Sequence, residues 1–262
     1  MTRAKEASSF IKQKMAFTGE TAVILGSGLG AFTDNIKNCK KLDYSEIPHY
    51  PLSTIEGHSG QLVTGEIENR EILIAKGRFH LYEGYSKRKI VFPIQVFKEC
   101  GIKNLIITNS AGSILKANPP GTLMIINGML DCTFSNHSQN PTLIKKPKYQ
   151  CEELNFIAKK VAYINNINIE EGIYCWTYGP LYETPAEIEY FKSLNGSAIG
   201  MSTYPEIMEA GNLGMNVLTF SLLSNYAAGI SDSPLDHSEV LEIANQSKDL
   251  LITMISGIIK GI

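Results

Sequence analysis

The sequence predicts an α/β fold: a single domain in which helices flank a mixed central β-sheet. Three observations carry this. Strand-like and helix-like segments interleave from end to end, the pattern that packs helices against the faces of one sheet. Two strand-like runs, "QLVTGEI" and "EILIAK", flank a short polar turn and read as a hairpin, so the sheet is not purely parallel. The chain has 262 residues, 44% of them hydrophobic and 19% charged, which suits one large globular domain, and no repeat, low-complexity stretch or linker divides it.

Taken in order, residues 1–20 supply an N-terminal helix, and "TAVILGS" (21–27) a short buried strand running into a glycine loop. The hairpin at 61–76 follows. "SKRKIVFPIQVFKECG" reads as a helix begun by Ser86 and stopped by Gly101, with Pro93 expected to bend or split it. "NLIITNSAGS" and "GTLMIINGMLD" are strands, "CEELNFIAKKVAYIN" a helix and "GIYCWTYG" a strand. Two capping boxes come next, Thr184 with Glu187 and Thr203 with Glu206, each with proline in the first turn. The strand "SAIGM" lies between them and "MNVLTFSLLSN" after them. A last helix is expected from near Asp236 almost to Ile262.

Bulk properties exclude several functions. A net charge of −2 without a basic stretch argues against a nucleic-acid partner. Five cysteines, odd in number and without a C-x-x-C pair, argue against a disulfide framework or a zinc cluster and for a reducing cytoplasm. The N-terminus lacks a signal-peptide apolar core, and the longest apolar stretch, "LLITMISGII", is too short to cross a bilayer. A soluble cytoplasmic protein is expected.

The chemistry is expected at strand ends, where ligands of α/β sheets bind. If the strand "EILIA" continues into "GRFHLYEGY", Arg78, His80 and Tyr82 share one face. That face suits an anion beside Arg78 and His80 and a flat or sugar-like group beside Tyr82. "VILGSGLGAF" fits G-x-G-x-x-A, but the polar, proline-interrupted "DNIKNCKKLDYSEIPHY" offers no second buried strand, so a nicotinamide-dependent oxidoreductase is disfavoured. A phosphate loop using Ser27 and the backbone around Gly28, or a purely structural tight turn, remain. Other strand ends present His58 in "EGHSG", small residues in "TNSAGS", Glu183 among Trp176, Tyr178 and Tyr182, Met201 and Ser202 in "GMSTYPE", Asn225 in "SLLSN" and His237 in "PLDHSEVL". Singly, each has a plainer reading: Arg78 in a surface ion pair, Glu183 as a helix N-terminal charge, Asn225 as a turn residue, Met201 as core.

Together, in this order, these motifs resemble the trimeric purine nucleoside phosphorylases, from about Thr21 to the end of the chain. The resemblance implies a distorted, barrel-like sheet, a homotrimer and phosphorolysis of 6-oxopurine nucleosides in purine salvage. The substrates are then a nucleoside and inorganic phosphate, with no other cofactor and no metal. Ser27, His58, Arg78, His80, Ser202 and the amide of Ser110 correspond to the phosphate site, with His58 on a lid. Tyr182, Glu183 and Asn225 correspond to the purine site, and Tyr82, Met201 and His237 to the ribose site. Asn225, Glu183, His80 and His237 are the implied catalytic set. Ionised Glu183 only accepts, so it suits the N1–H of a 6-oxopurine, and Asn225 can bridge O6 and N7.

The sequence departs from the family with Ser110 in "NSAGS" and in 136–154, which lacks the aromatic-and-proline stretch. Tyr149 is the available aromatic there for a neighbouring subunit's sugar site, and Tyr226 stands next to the base residue Asn225. The alternatives are a methylthioadenosine or adenosine phosphorylase of the same fold, against which Asn225 and His237 argue, and a non-catalytic nucleoside-binding protein.

Overall fold

The structure, a computed structural model, describes residues 1–52, 60–135, 141–231 and 237–262, with 31, 34, 35 and 237–239 described by backbone alone. Its strands are β1 (Thr21–Leu25), β2 (Lys37–Asp43), β3 (Gln61–Ile67), β4 (Arg70–Lys76), β5 (Asn104–Ser113), β6 (Leu123–Asp131), β7 (Leu143–Ile144), β8 (Ile169–Trp176), β9 (Gly196–Gly200) and β10 (Asn216–Tyr226). Its helices are α1 (Arg3–Met15), α2 (Lys87–Ile90), α3 (Phe92–Cys100), α4 (Glu152–Ile164), α5 (Pro185–Ser193), α6 (Tyr204–Asn212), α7 (His237–Gln246) and α8 (Lys248–Gly261). No helix among the described residues is long and apolar enough to cross a membrane.

All ten strands form one mixed sheet, whose order is β10-β6-β8-β9-β5-β1-β4-β3-β2, with β7 against β6. A further pairing of β10 with β5 closes the ring β5-β10-β6-β8-β9, so the sheet is part barrel and part open wing. Alternation buries both faces. In β1, Ala22 and Ile24 pack into the layer of α1 and α3, while Val23 and Leu25 pack into that of α4 and α8.

The barrel opens at β5. One edge of β5 pairs with β10 along residues 104–113. The other edge is divided: residues 104–107 pair with β1 and residues 112–113 with β9, while 108–111 pair with neither. β1 stops at Leu25, and Gly26 then passes so close that an added Cβ would stand 2.7 Å from Asn109 Cα. Only glycine permits that approach. The split edge is the floor of a cleft.

Several expectations are corrected. "NCKKLD" does form a strand, β2, whose exposed polar residues pair along the free edge of β3. An edge strand needs no apolar face, which is why the pattern hid it. The expected helix at 86–101 splits at Val91, and Pro93 lies in the first turn of α3, where its missing N–H costs nothing. The last helix breaks at Ser247 into α7 and α8. Thr184 and Glu187 form the expected capping box, with Glu187 Oε2 2.7 Å from the Thr184 amide. Thr203 and Glu206 do not; both side chains face Arg78 instead.

Candidate active site

The cleft at the divided edge of β5 collects the ends of β1, β4, β5, β9 and β10 and the loop after β8. Ten of the twelve candidate residues line it: Ser27, Arg78, His80, Tyr82, Ser110, Tyr182, Glu183, Met201, Ser202 and Asn225. His58 lies outside the described residues, and His237 is the first residue of α7, its side chain likewise outside them.

The strand β4 does not continue through Tyr82 as the alternation implied. It ends at Lys76; Gly77 turns at φ 114°, and residues 81–83 form a 3-10 turn. The turn still delivers all three side chains to the cleft. Arg78 is 3% exposed and reaches under the cleft floor. Its Nη1 donates to Ser202 Oγ at 3.1 Å and Thr203 Oγ1 at 2.8 Å, and its Nη2 donates to the carbonyl of Thr108 at 2.7 Å, one of the residues that β1 and β9 leave open. Glu206 is buried 3.7 Å from Arg78 Nε, a Coulombic contact rather than a hydrogen bond. A buried guanidinium with a buried counter-charge keeps its position without leaving an uncompensated charge.

His80 stacks on Tyr82, ring centroids 4.8 Å apart at 20°. One carboxylate oxygen of buried Glu83 accepts from the His80 amide at 2.7 Å and lies 3.2 Å from Nδ1. That contact holds the ring in place. Burial pushes the Tyr82 phenol up to about 12, so it stays a neutral donor. Ser110, the departure in "NSAGS", donates its hydroxyl to the carbonyl of Ser27 at 3.0 Å and so ties the β5 floor to the glycine loop. Gly28 adopts φ +77°, the left-handed geometry that brings loop amides round an anion.

Glu183 accepts from Thr177 Oγ1 at 2.6 Å. Burial raises its carboxyl pKa, and the Thr177 hydrogen bond opposes that rise. Asn225 is 5% exposed; Ser224 Oγ donates to its Oδ1 at 3.1 Å, and its Nδ2 donates to the Tyr226 carbonyl at 2.9 Å. Those bonds hold the amide flat and engage one lone pair of Oδ1 and one hydrogen of Nδ2. The other lone pair and hydrogen are available to a ligand.

Trp176 is not beside Glu183 as the sequence suggested. Strand alternation sends it to the opposite side from Thr177, where it stacks on Tyr204 at 4.9 Å and 8°. Tyr226 leaves the cleft and donates to the carbonyl of Lys116. Tyr149 is buried in this chain's own core, its hydroxyl 3.2 Å from Asn212 Oδ1, so it is not the residue offered to a neighbour. Thr108, Asn109, Thr203 and Glu206 were missed as supports around Arg78. Glu83, three residues after His80, was the one legible signal among such supports.

With the site's geometry in place, comparisons with known proteins assign the class. The sequence model described as the phosphorylase superfamily matches residues 20–260. A curated relative from Geobacillus stearothermophilus, purine nucleoside phosphorylase 1, is 40% identical over 99% of this chain and 97% of its own. The purine nucleoside phosphorylase of Mus musculus is 33% identical over 97% and 93%. Solved structures of the Schistosoma mansoni enzyme align with it too. One in complex with inosine has a TM-score of 0.89 at 29% identity, covering 98% and 95% of the two chains, and one in complex with adenosine has 0.88 at 30%, covering 98% and 96%. The chain belongs to the phosphorylase superfamily and, within it, to the purine nucleoside phosphorylases. It is an enzyme, a pentosyltransferase.

Proposed function

We propose that this enzyme transfers the pentose of 6-oxopurine nucleosides, inosine and guanosine or their deoxy forms, to inorganic phosphate. The observation that carries the reading is the set of groups gathered in one cleft: oxyanion donors including Arg78 and Ser202, an aromatic and a thioether that meet at Gly179, and a carboxylate and an amide. Phosphate is held at Ser27, Arg78, His80, Ser202 and the Ser110 amide, and His58 is the further residue assigned to it. A guanidinium with hydroxyl and amide donors binds an oxyanion without a metal. Tyr82 and Met201 carry the ribose, and His237 is the residue assigned to the hydrogen of its 5′-hydroxyl. Tyr182 covers the purine. Glu183 accepts N1–H, the uncommitted Nδ2 hydrogen of Asn225 goes to O6, and its uncommitted Oδ1 lone pair accepts from N7 as N7 takes up a proton.

No side chain acts as a covalent nucleophile in this scheme. The glycosidic bond breaks as the ribose becomes oxocarbenium-like, phosphate closes on C1′ from the opposite face, and Asn225 stabilises electron density arriving at N7. The products are the free base and the pentose 1-phosphate, with no cofactor consumed, a reaction of purine salvage in the cytoplasm. The working assembly is a homotrimer.

Because the Schistosoma mansoni relative has been solved with adenosine as well as inosine, base selectivity is the part that most needs a direct test. For the reaction itself, phosphorus NMR of protein with inosine and phosphate should show a pentose 1-phosphate growing in step with hypoxanthine. Base release without a new phosphate ester would mean hydrolysis. No base release would leave a binding protein.

A further inference from the structure

The segment Ser202–Thr203–Tyr204 has a geometry that the capping reading of this sequence does not explain. Thr203 sits at φ 75°, ψ −48°, and the Tyr204 amide donates to the Ser202 carbonyl at 2.8 Å. That is a γ-turn centred on a β-branched residue, a rare and strained conformation that surrounding contacts must hold. A set of hydrogen bonds beside Arg78 holds it. The Ser202 carbonyl also accepts from the Tyr174 phenol at 3.1 Å. The Thr203 hydroxyl, 1% exposed with its residue, lies 2.8 Å from Arg78 Nη1, 3.0 Å from Asn109 Nδ2 and 3.0 Å from Ser202 Oγ.

Counting lone pairs settles the direction of these bonds. A hydroxyl oxygen accepts two hydrogens and gives one. Thr203 Oγ1 accepts from Arg78 and from Asn109, so its own hydrogen goes to Ser202 Oγ. Ser202 Oγ then accepts from Thr203 and from Arg78, whose Nη1 is 3.1 Å away. Both lone pairs of Ser202 are thereby filled, and its hydroxyl has nothing left but a hydrogen to give. Ser202 lines the cleft, so that hydrogen is directed to whatever occupies the cleft beside Arg78.

We infer that Thr203 is a positioning residue for phosphate, whose hydroxyl converts Ser202 into an obligate donor and locks the Arg78 fork beside it. The inference rests on the assignment of phosphate to Arg78 and Ser202. It explains why a strained turn is kept where a capped helix start was available: the hydroxyl that would have capped α6 is used to set the hydrogen-bond polarity of the site.

The test is steady-state kinetics on Thr203→Val, which keeps shape and β-branching but removes the hydroxyl, with Thr203→Ala as a second variant lacking it. Losing one hydrogen bond in a charge-assisted network should raise the KM for phosphate about tenfold, while the KM for inosine stays within about twofold. Thr203→Ser restores the hydroxyl and should bring the phosphate KM back to within about threefold of wild type. Ser202→Ala should raise the phosphate KM too, and the Ser202→Ala/Thr203→Val double variant should cost less than the sum of the two, because Thr203 acts through Ser202. An unchanged phosphate KM in Thr203→Val and Thr203→Ala, with Ser202→Ala impaired, overturns the inference. So does an equal rise in both KM values without rescue by serine. An unchanged phosphate KM in Ser202→Ala instead removes the phosphate assignment itself.

Discussion

At the residue scale, Glu183 and Asn225 carry the claim about the base, and each makes a distinct prediction. Burial holds the Glu183 pKa above the ordinary glutamate value. In the proposed role the carboxylate must be ionised, so the KM for inosine should be flat above that raised pKa and climb as pH falls through it; pH-dependent initial rates check this. The same shift has a sign for stability. The native state binds this proton more tightly than the unfolded chain, so stability falls as pH rises from the ordinary glutamate value through the raised one. Glu183→Gln should therefore melt above wild type at neutral pH, with the difference vanishing in acid, while its KM for inosine rises. A variant that melts below wild type at neutral pH contradicts that account. For Asn225, the loss of a donor aimed at developing charge costs about 100- to 1,000-fold in rate, so Asn225→Ala should lower kcat on inosine by that order. An unchanged kcat would remove Asn225 from the mechanism.

At the element scale, the site depends on how β1 meets β5. Gly26→Ala would place a methyl 2.7 Å from Asn109 Cα, backbone against backbone, with no flexible side chain to give way. Separating the two strand ends displaces Asn109 and Ser110 together, so the expected outcome is a loss of about 1–3 kcal/mol by denaturant titration and a larger loss of phosphate affinity. At α5 the Thr184–Glu187 box is exposed and regular, and Thr184→Ala should cost about 1 kcal/mol with little change in phosphate KM. The two "Thr-Pro-x-Glu"-like starts show what sequence can and cannot disclose. Local spacing is enough when the cap is satisfied within the turn, as at Thr184. It fails at Thr203, because Arg78, 125 residues away, takes the threonine hydroxyl. The same limit applies to β2, which is held along a neighbouring strand edge, and to Trp176, whose stacking on Tyr204 is a tertiary event. Strand ends rich in small and polar residues were legible, and they are where the cleft formed. Their supports, Thr108, Asn109 and Glu206, were not, since each acts through a residue distant in the chain.

At the scale of the whole molecule, closure of β10 on β5 leaves one divided edge, and every proposed substrate contact with a described side chain faces that opening. Tyr178, Leu181 and Tyr182 beside it are 48%, 83% and 44% exposed, an apolar rim suited to cover by a second subunit or by substrate. The proposed trimer makes a direct expectation for light scattering: a mass near three times 28.9 kDa. A monomer with full activity would show that the cleft needs no neighbour. The central claim is that one cleft couples phosphate to a 6-oxopurine nucleoside. It is tested most directly by kcat/KM for inosine and for adenosine, each with and without inorganic phosphate. The account predicts phosphate-dependent release of hypoxanthine with adenine release far slower. Adenine released from adenosine as fast as hypoxanthine from inosine would contradict the Glu183–Asn225 reading, and base release indifferent to phosphate would contradict the mechanism.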